Sequence, residues 1–175
     1  MIGKIKEWFF YKNFQDNIEL KKDRSPGLNS EQNITILFDG TSEEDRKKVH
    51  RFKKKLNPDA KKSIKSLAYL DNALPLDNVD YAAYNKKNIN WYGVPFGAKV
   101  EEFIQEKSDL LLVLCKEMLP HYEYIIAQSQ ARFKVGTDIK KSEKYFDLII
   151  ECVHKEEIER ICDAIVKAVD KIAVK

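Results

Sequence analysis

Cysteine is scarce in this chain. The three that occur, Cys115, Cys152 and Cys162, are odd in number and nowhere spaced as CxxC. That argues against a disulfide scaffold or a zinc ribbon and fits a reducing cytoplasm. Histidine is equally rare: His50, His121 and His154 have no partners at metal-ligand spacing, so no metal site is expected. Among the six glycines none forms GxGxxG, the arrangement that brings a backbone up to a pyrophosphate at a helix start. No cofactor is therefore expected, and no signature of a catalytic site turns up. Long apolar runs are missing too. The longest, Leu110 to Cys115, has the length of a buried strand, far from the roughly 20 residues that cross a bilayer. The opening MIGKIKEWFFYKNF is too short and too interrupted by charge for a secretory segment, so no export signal is expected.

What is present is a globular composition with one lopsided feature. Hydrophobic residues make up 43% and aromatics 11% of 175 residues. A chain of that length buries a core without metals or disulfides, so one domain is the natural count. Between Arg46 and Lys65 there are ten Lys or Arg and one acid, Asp59, a local charge of +9 in a chain of only +3. The remainder is therefore mildly acidic. One concentrated cationic region on such a body says more about partners than any motif here.

Residues 1–24 read as a short amphipathic helix, with Ile2, Ile5, Phe9 and Asn13 on one stripe and Trp8 beside it. The breaker cluster Ser25-Pro26-Gly27 within a 25–32 linker tethers it to the rest of the chain. From Asn33 to the C-terminus strand and helix signals alternate. Ile34 to Phe38 is a β-branched run that stops at Asp39-Gly40. Thr41 and Ser42 ahead of Glu43, Glu44 and Asp45 then predict a capped helix start. Val49, Phe52 and Leu56 form its apolar stripe, and Asn57-Pro58 ends it. Further strands are expected at 63–70, 81–85, 109–115, 132–136 and 146–152, and helices at 95–107, 121–131 and 156–174. The pattern predicts an α/β fold: a single doubly wound, mostly parallel sheet in a Rossmann-like three-layer sandwich over 33–175, preceded by the amphipathic helix.

Several stretches carry a resemblance. ILFDGTSEED near residue 36, NINWYGVP near residue 88, SDLLLVLC, AQSQARFKVG and YFDLIIE resemble an uncharacterised family of small Bacteroidetes α/β proteins. That resemblance implies the fold and a cytoplasmic setting, with no activity attached. Asp109 to Gly136 is more loosely similar to the N-terminal half of GT-B glycosyltransferases of the heptosyltransferase type, although the second, sugar-nucleotide domain of those enzymes has no counterpart here.

The same patterns mark candidate sites. In open α/β sheets ligands lie at the carboxyl ends of the strands, which makes Asp39, Asp71 and Cys115 the rim of a candidate ligand crevice. Three acids after Gly40 would repel a phosphate there. FDGT also invites comparison with haloacid-dehalogenase phosphatases, but the nucleophile's position is held by Leu37. Cys115 with His121 offers a thiol and a base, set against the plainer reading of a small apolar side chain ending a strand. Lys47, Lys48, Arg51, Lys54, Lys55, Lys61 and Lys62 form a candidate polyanion-binding surface, set against a merely solvated helix face. Trp91 and Tyr92 mark a candidate interaction loop. Ile2, Ile5, Trp8 and Phe9 mark an N-terminal attachment surface for a membrane, a partner or the domain itself.

The expectation is a non-catalytic cytoplasmic protein that contacts a polyanion, above all structured or ribosomal RNA within an assembly. Two alternatives stand beside it: an enzyme or small-molecule binder using the strand-end crevice, and a structural subunit that binds protein, peripheral to a membrane or not.

Overall fold

A computed structural model of the chain describes residues 2–14, 33–151 and 157–173. The expected linker at 25–32, Cys152 and His154 lie outside the described residues, as do the side chains of Ile2 and Asn13. Six strands, β1 (Asn33–Asp39), β2 (Ser63–Leu70), β3 (Ala83–Asn85), β4 (Leu110–Leu114), β5 (Phe133–Thr137) and β6 (Leu148–Ile150), form one sheet in the order β3-β2-β1-β4-β5-β6. Every pairing is parallel. The order reverses direction between β1 and β4, which is the switch point of a doubly wound sheet. The Rossmann-like arrangement expected from the alternation of strands and helices is thus the one the chain adopts.

Parallel strands need both faces covered, and the residues of β1 and β4 say how. Ile34, Ile36 and Phe38 face one layer, with Leu110, Leu112 and Leu114 beside them. That layer consists of α2 (Glu43–Leu56), through Val49, Phe52 and Leu56, and α6 (Ile158–Ala173), through Ile158, Ile161, Cys162 and Ile165. Leu37, Leu111 and Val113 face the other layer. It holds α3 (Ala98–Gln105), α4 (Pro120–Gln128) and the single turn α5 (Ser142–Tyr145). Each fully buried Leu or Ile contributes about 2 kcal/mol relative to exposure, and this double row is where the fold's stability is concentrated.

Local chemistry sets the element ends. Ser42 accepts a hydrogen bond from the Asp45 amide at 3.4 Å and caps α2, with three acids in its first turn. Asn57 closes α2 and pins the following loop, accepting from the Lys62 amide at 2.8 Å and donating to the Lys62 carbonyl at 2.7 Å. The third strand is shorter than the 81–85 expected, because only Ala83 to Asn85 align with β2. The third helix starts late for a conformational reason: Gly97 has φ of 114°, which ends the approach from Pro95 before the helix begins. Of the closing strand expected at 146–152, the described residues form strand at Leu148–Ile150, and a turn of helix at Ser142 to Tyr145 delays its start.

The helix at the N-terminus, α1 (Ile2–Phe14), packs on the outside of α4. Its inward face is not the one the spacing suggested. Phe10 and Phe14 are buried, whereas Ile5 and Trp8 are 50% and 55% exposed. What selects this face is polar. Tyr11 Oη donates to Glu123 at 2.8 Å, and the same buried carboxylate accepts from Tyr145 Oη at 2.8 Å and from Lys141 Nζ at 2.7 Å. A buried carboxylate needs that full set of donors, so the helix turns Tyr11 toward it.

Gly136 shows how tightly the second layer is packed. A Cβ there would fall 2.2 Å from the Phe146 ring. We expect Gly136→Ala to destabilise the chain by roughly 3 kcal/mol, as overpacking does. Urea denaturation followed by far-UV circular dichroism checks this. A loss below half that figure would mean that the Phe146 ring can move aside.

Candidate functional site

The polarity of a parallel sheet separates the candidate residues into two ends. At the carboxyl end of the strands, β1 delivers Asp39, β2 delivers Tyr69 and Asp71, and β4 delivers Cys115. The start of α4 adds His121 and Tyr122. Four rings gather there. His121 stacks 4.2 Å from Tyr69 and 4.3 Å from Tyr122, and Tyr84 lies 5.2 Å from Tyr69. Tyr84 Oη and His121 Nδ1 share a 2.8 Å hydrogen bond.

The three crevice residues named from sequence fare differently within this cluster. Asp39 accepts from the Thr41 amide at 3.0 Å and is half-buried. Asp71 is exposed, paired with Lys86 at 2.9 Å, and accepts from Tyr69 Oη at 3.1 Å. Lys86 holds its carboxyl below the usual range, with help from Tyr69. Cys115 is 1% exposed, and burial pushes its thiol well up, the opposite of an activated nucleophile. The Tyr122 hydroxyl rests against that thiol without finding a conventional partner among the described residues. His121 does not bond to Cys115. Its imidazole faces the tyrosines, and burial lowers its pKa to about 4, with Asp39 and Asp71 pulling weakly the other way. His121 Nε2 is buried and unpartnered among the described residues. The strand ends are therefore filled by neutral aromatic and imidazole groups, and Asp39 and Asp71 sit at their margin.

The loop between β1 and α2 is latched. Arg46 Nη1 donates to the Gly40 carbonyl at 2.5 Å, and Thr41 Oγ1 accepts from the Asp71 amide at 2.9 Å. The arginine that opens the basic run thus serves the fold.

At the other end, α2 carries the cationic surface. At 100° per residue Lys47, Lys48, Arg51, Lys54 and Lys55 share an arc of about 120° opposite the core stripe. Part of it is already neutralised. Lys47 pairs with Glu43 at 2.7 Å and Lys48 with Glu44 at 3.0 Å, each one turn away. Lys55 pairs with Asp163 of α6 at 2.7 Å. Glu43, Glu44 and Asp163 are exposed, so these pairs are weak and exchange readily for another anion. Arg51, Lys54, Lys61 and Lys62 make no ion pair among the described residues, and the first three are exposed. The Asn57 clamp holds Lys61 and Lys62 beside the C-terminal end of α2. The carboxylate partners were invisible to sequence reasoning except for Glu43 and Glu44, whose spacing of four from the lysines announces the pair.

The two aromatic segments named separately from sequence meet in space. Phe9 and Trp91 lie 5.2 Å apart, with Trp8 5.0 Å from Phe9 and Tyr92 5.3 Å from Trp91. The Trp91 loop is wound around Asn90, whose Oδ1 accepts from the Val94 amide at 2.9 Å, and Gly93 supplies the required φ of 101°. Trp91 remains 56% exposed. No group of His, Cys, Asp and Glu able to hold a metal occurs among the described residues, and no described helix is long and apolar enough to cross a membrane.

His121 makes a pH prediction. Its folded pKa, about 4, lies below the ordinary 6.5, so in that window the unfolded chain binds the extra proton. Stability is complete above pH 6.5 and falls as the pH drops toward 4. We expect a loss of about 2 kcal/mol between pH 7 and pH 5, and a smaller loss in His121→Phe, read from urea midpoints. Equal losses in the two proteins would show that His121 is not the group responsible.

No curated protein and no solved structure matches the chain, and the glycosyltransferase likeness of Asp109 to Gly136 draws no support from either comparison. One family model does match, over residues 6–169, nearly the whole chain including most of α1. The chain belongs to the family of unknown function DUF6913.

Proposed function

We propose that the chain is a non-catalytic cytoplasmic protein that binds a polyanion, with structured RNA as the favoured partner, through the outer arc of α2 and the loop after it. The observation that carries this reading is that Arg51, Lys54, Lys61 and Lys62, along the second half of α2 and the loop after it, form no ion pair among the described residues, Glu44 acting on Arg51 only from a distance. Phosphates would release counterions from such a surface without any reading of sequence. Lys47, Lys48 and Lys55 can join by exchanging exposed partners. Buried, unpaired thiols at Cys115 and Cys162 suit a reducing compartment. The filled strand ends favour this reading over a small-molecule site at Asp39, Asp71 and Cys115.

RNA affinity should fall with a slope of log K against log salt between about −3 and −4 if four phosphates are engaged. Arg51→Glu with Lys54→Glu should weaken binding at least tenfold, and Asp163→Asn, which releases Lys55, should strengthen it. Fluorescence anisotropy with a labelled RNA hairpin measures all three. Salt-insensitive binding, or none, removes the reading.

A second reading is favoured by the joined aromatics. Ile5, Trp8, Phe9 and Trp91 form one apolar ridge on the outside of α1, flanked by exposed Lys4, Lys6 and Lys12, and Lys12 Nζ lies 4.8 Å over the Trp8 ring. Tryptophan beside lysine suits the interface of an anionic membrane, and attachment there is compatible with RNA held on α2. Cosedimentation with phosphatidylserine vesicles should be lost in Trp8→Ser with Trp91→Ser. Sedimentation unchanged by that pair, or absent in the native chain, excludes the ridge as a lipid anchor.

A further inference from the structure

Among the described residues, the first half of β2 has no neighbour on its outer side. β2 runs from Ser63 to Leu70, but β3 aligns only with Ala68 to Leu70. Ala68 sends its N–H outward, to the Ala82 carbonyl at 3.0 Å, while the Tyr69 carbonyl turns inward to the Gly40 amide at 2.8 Å. Backbone direction alternates along a strand, so Ile64 and Ser66 point their N–H and C=O groups outward like Ala68. Among the described residues no backbone group pairs with them on that side.

Beside this bare edge lies a cleft of about 630 Å³. It wraps around the strand. Lys53 and Ser66 line it on the α2 side, Lys65, Phe103 and Glu106 on the α3 side, and Tyr81 adds a ring 37% exposed. The charges around it are not equivalent. Lys65 pairs with Glu106, and Lys99, also on the cleft wall, pairs with Glu102 at 3.1 Å, while the exposed Asp80 on the Tyr81 side makes no ion pair among the described residues. Lys53 is half-buried, donates only to Ser66 Oγ at 3.2 Å, and meets no carboxylate among the described residues; burial pulls its pKa below that of an ordinary lysine.

We infer that this edge accepts an extended acidic peptide, which adds as a strand along residues 63–67 and places a carboxylate against Lys53. The backbone groups of Ile64 and Ser66 supply the ladder, and the cleft receives the alternate side chains. Charge selects the partner. A neutral or basic strand would strip water from the Lys53 ammonium and give nothing back, whereas a carboxylate offsets that desolvation. Lysines on an edge also deter unwanted pairing, and the test separates these two roles. The cleft is distinct from the outer arc of α2, because Lys53 lies off that arc, on the flank turned to the sheet edge.

The probe is a fluorophore-tagged, N-acetylated heptapeptide of alternating valine and glutamate, with a lysine-for-glutamate version as its control. Anisotropy should show the acidic peptide binding at least tenfold more tightly than the basic one, and Lys53→Gln should abolish that preference. Hydrogen exchange by NMR should show the Ile64 and Ser66 amides open in the free chain and slowed when the acidic peptide saturates. Ile64→Pro, which removes an outward donor at an edge position where proline is tolerated, should weaken binding of the peptide. Lys53→Gln should leave RNA affinity unchanged, so failure here and failure of the polyanion reading are told apart. Equal binding of the two peptides, no binding of either, or amides already protected in the free chain would each overturn the inference.

Discussion

Everything in this molecule depends on a constraint imposed by its two central strands. β1 and β4 run parallel at the centre of the sheet, so their buried side chains are apolar on both faces, Thr35 with its 2.8 Å bond to Ser108 excepted, and helices lie above and below. Each βαβ crossover then starts at one end of the sheet and finishes at the other. Chemistry is excluded from the faces and sent to the two ends and the edges. The carboxyl end receives Asp39, Tyr69, Asp71, Tyr84, Cys115 and His121. The opposite end receives the close of α2 and the loop that carries Lys61 and Lys62.

That sorting explains why a strongly cationic helix can sit on an acidic body without distorting the core. The arc of α2 that carries lysine lies opposite Val49, Phe52 and Leu56, and its neighbour on the same layer, α6, turns Asp163 toward it. Near its start α2 is balanced by its own Glu43 and Glu44. Near its end it is not, since only Lys55 reaches a carboxylate on another element. The unneutralised charge is consequently displaced toward one corner of the molecule. The helix dipole reinforces the arrangement, with acids at the N-terminus and Lys53, Lys54 and Lys55 in the last turn.

Much of this was legible in the sequence, and the rest was not, for identifiable reasons. The apolar run Leu110 to Cys115 and the β-branched run Ile34 to Phe38 announced the central strands because parallel sheets demand such runs. The α2 cap and stripe were equally plain, since Ser42, Glu43, Glu44 and Val49 are local signals. The orientation of α1 was not, because apolar residues occur almost all the way round that helix. Its facing was settled by Tyr11, Lys141 and Tyr145 converging on Glu123, residues more than a hundred positions apart at the extremes. The ring cluster on His121 was hidden likewise, as Tyr69, Tyr84 and Tyr122 come from three elements. The meeting of Phe9 with Trp91 could not be read from either segment alone. The short third strand was overestimated because Tyr81 and Ala82 suit a strand by propensity, but only Ala83 to Asn85 align with β2.

The contrast between the two polar regions bears on what kind of protein this is. A catalytic centre built on a thiol or an imidazole needs groups that change charge near neutral pH within reach of a substrate. Here burial moves Cys115 up and His121 down, so both stay neutral, and the surrounding tyrosines rise as well. Such an environment stabilises packing, because neutral rings are cheap to bury and a charged one is not. The surface of α2 behaves in the opposite way. Its outward cations Lys47, Arg51, Lys54 and Lys55 are exposed, and those that pair do so with exposed carboxylates that another anion can replace. A site of that kind cannot orient a small substrate to within the tolerance that bond-making requires. It can hold a polymer of phosphates by summing many weak contacts, each of which tolerates movement. The neutral rings at the strand ends are packed while the outer cations of α2 face solvent, and that contrast is the physical ground for the proposed reading of the molecule as a binder of extended anions.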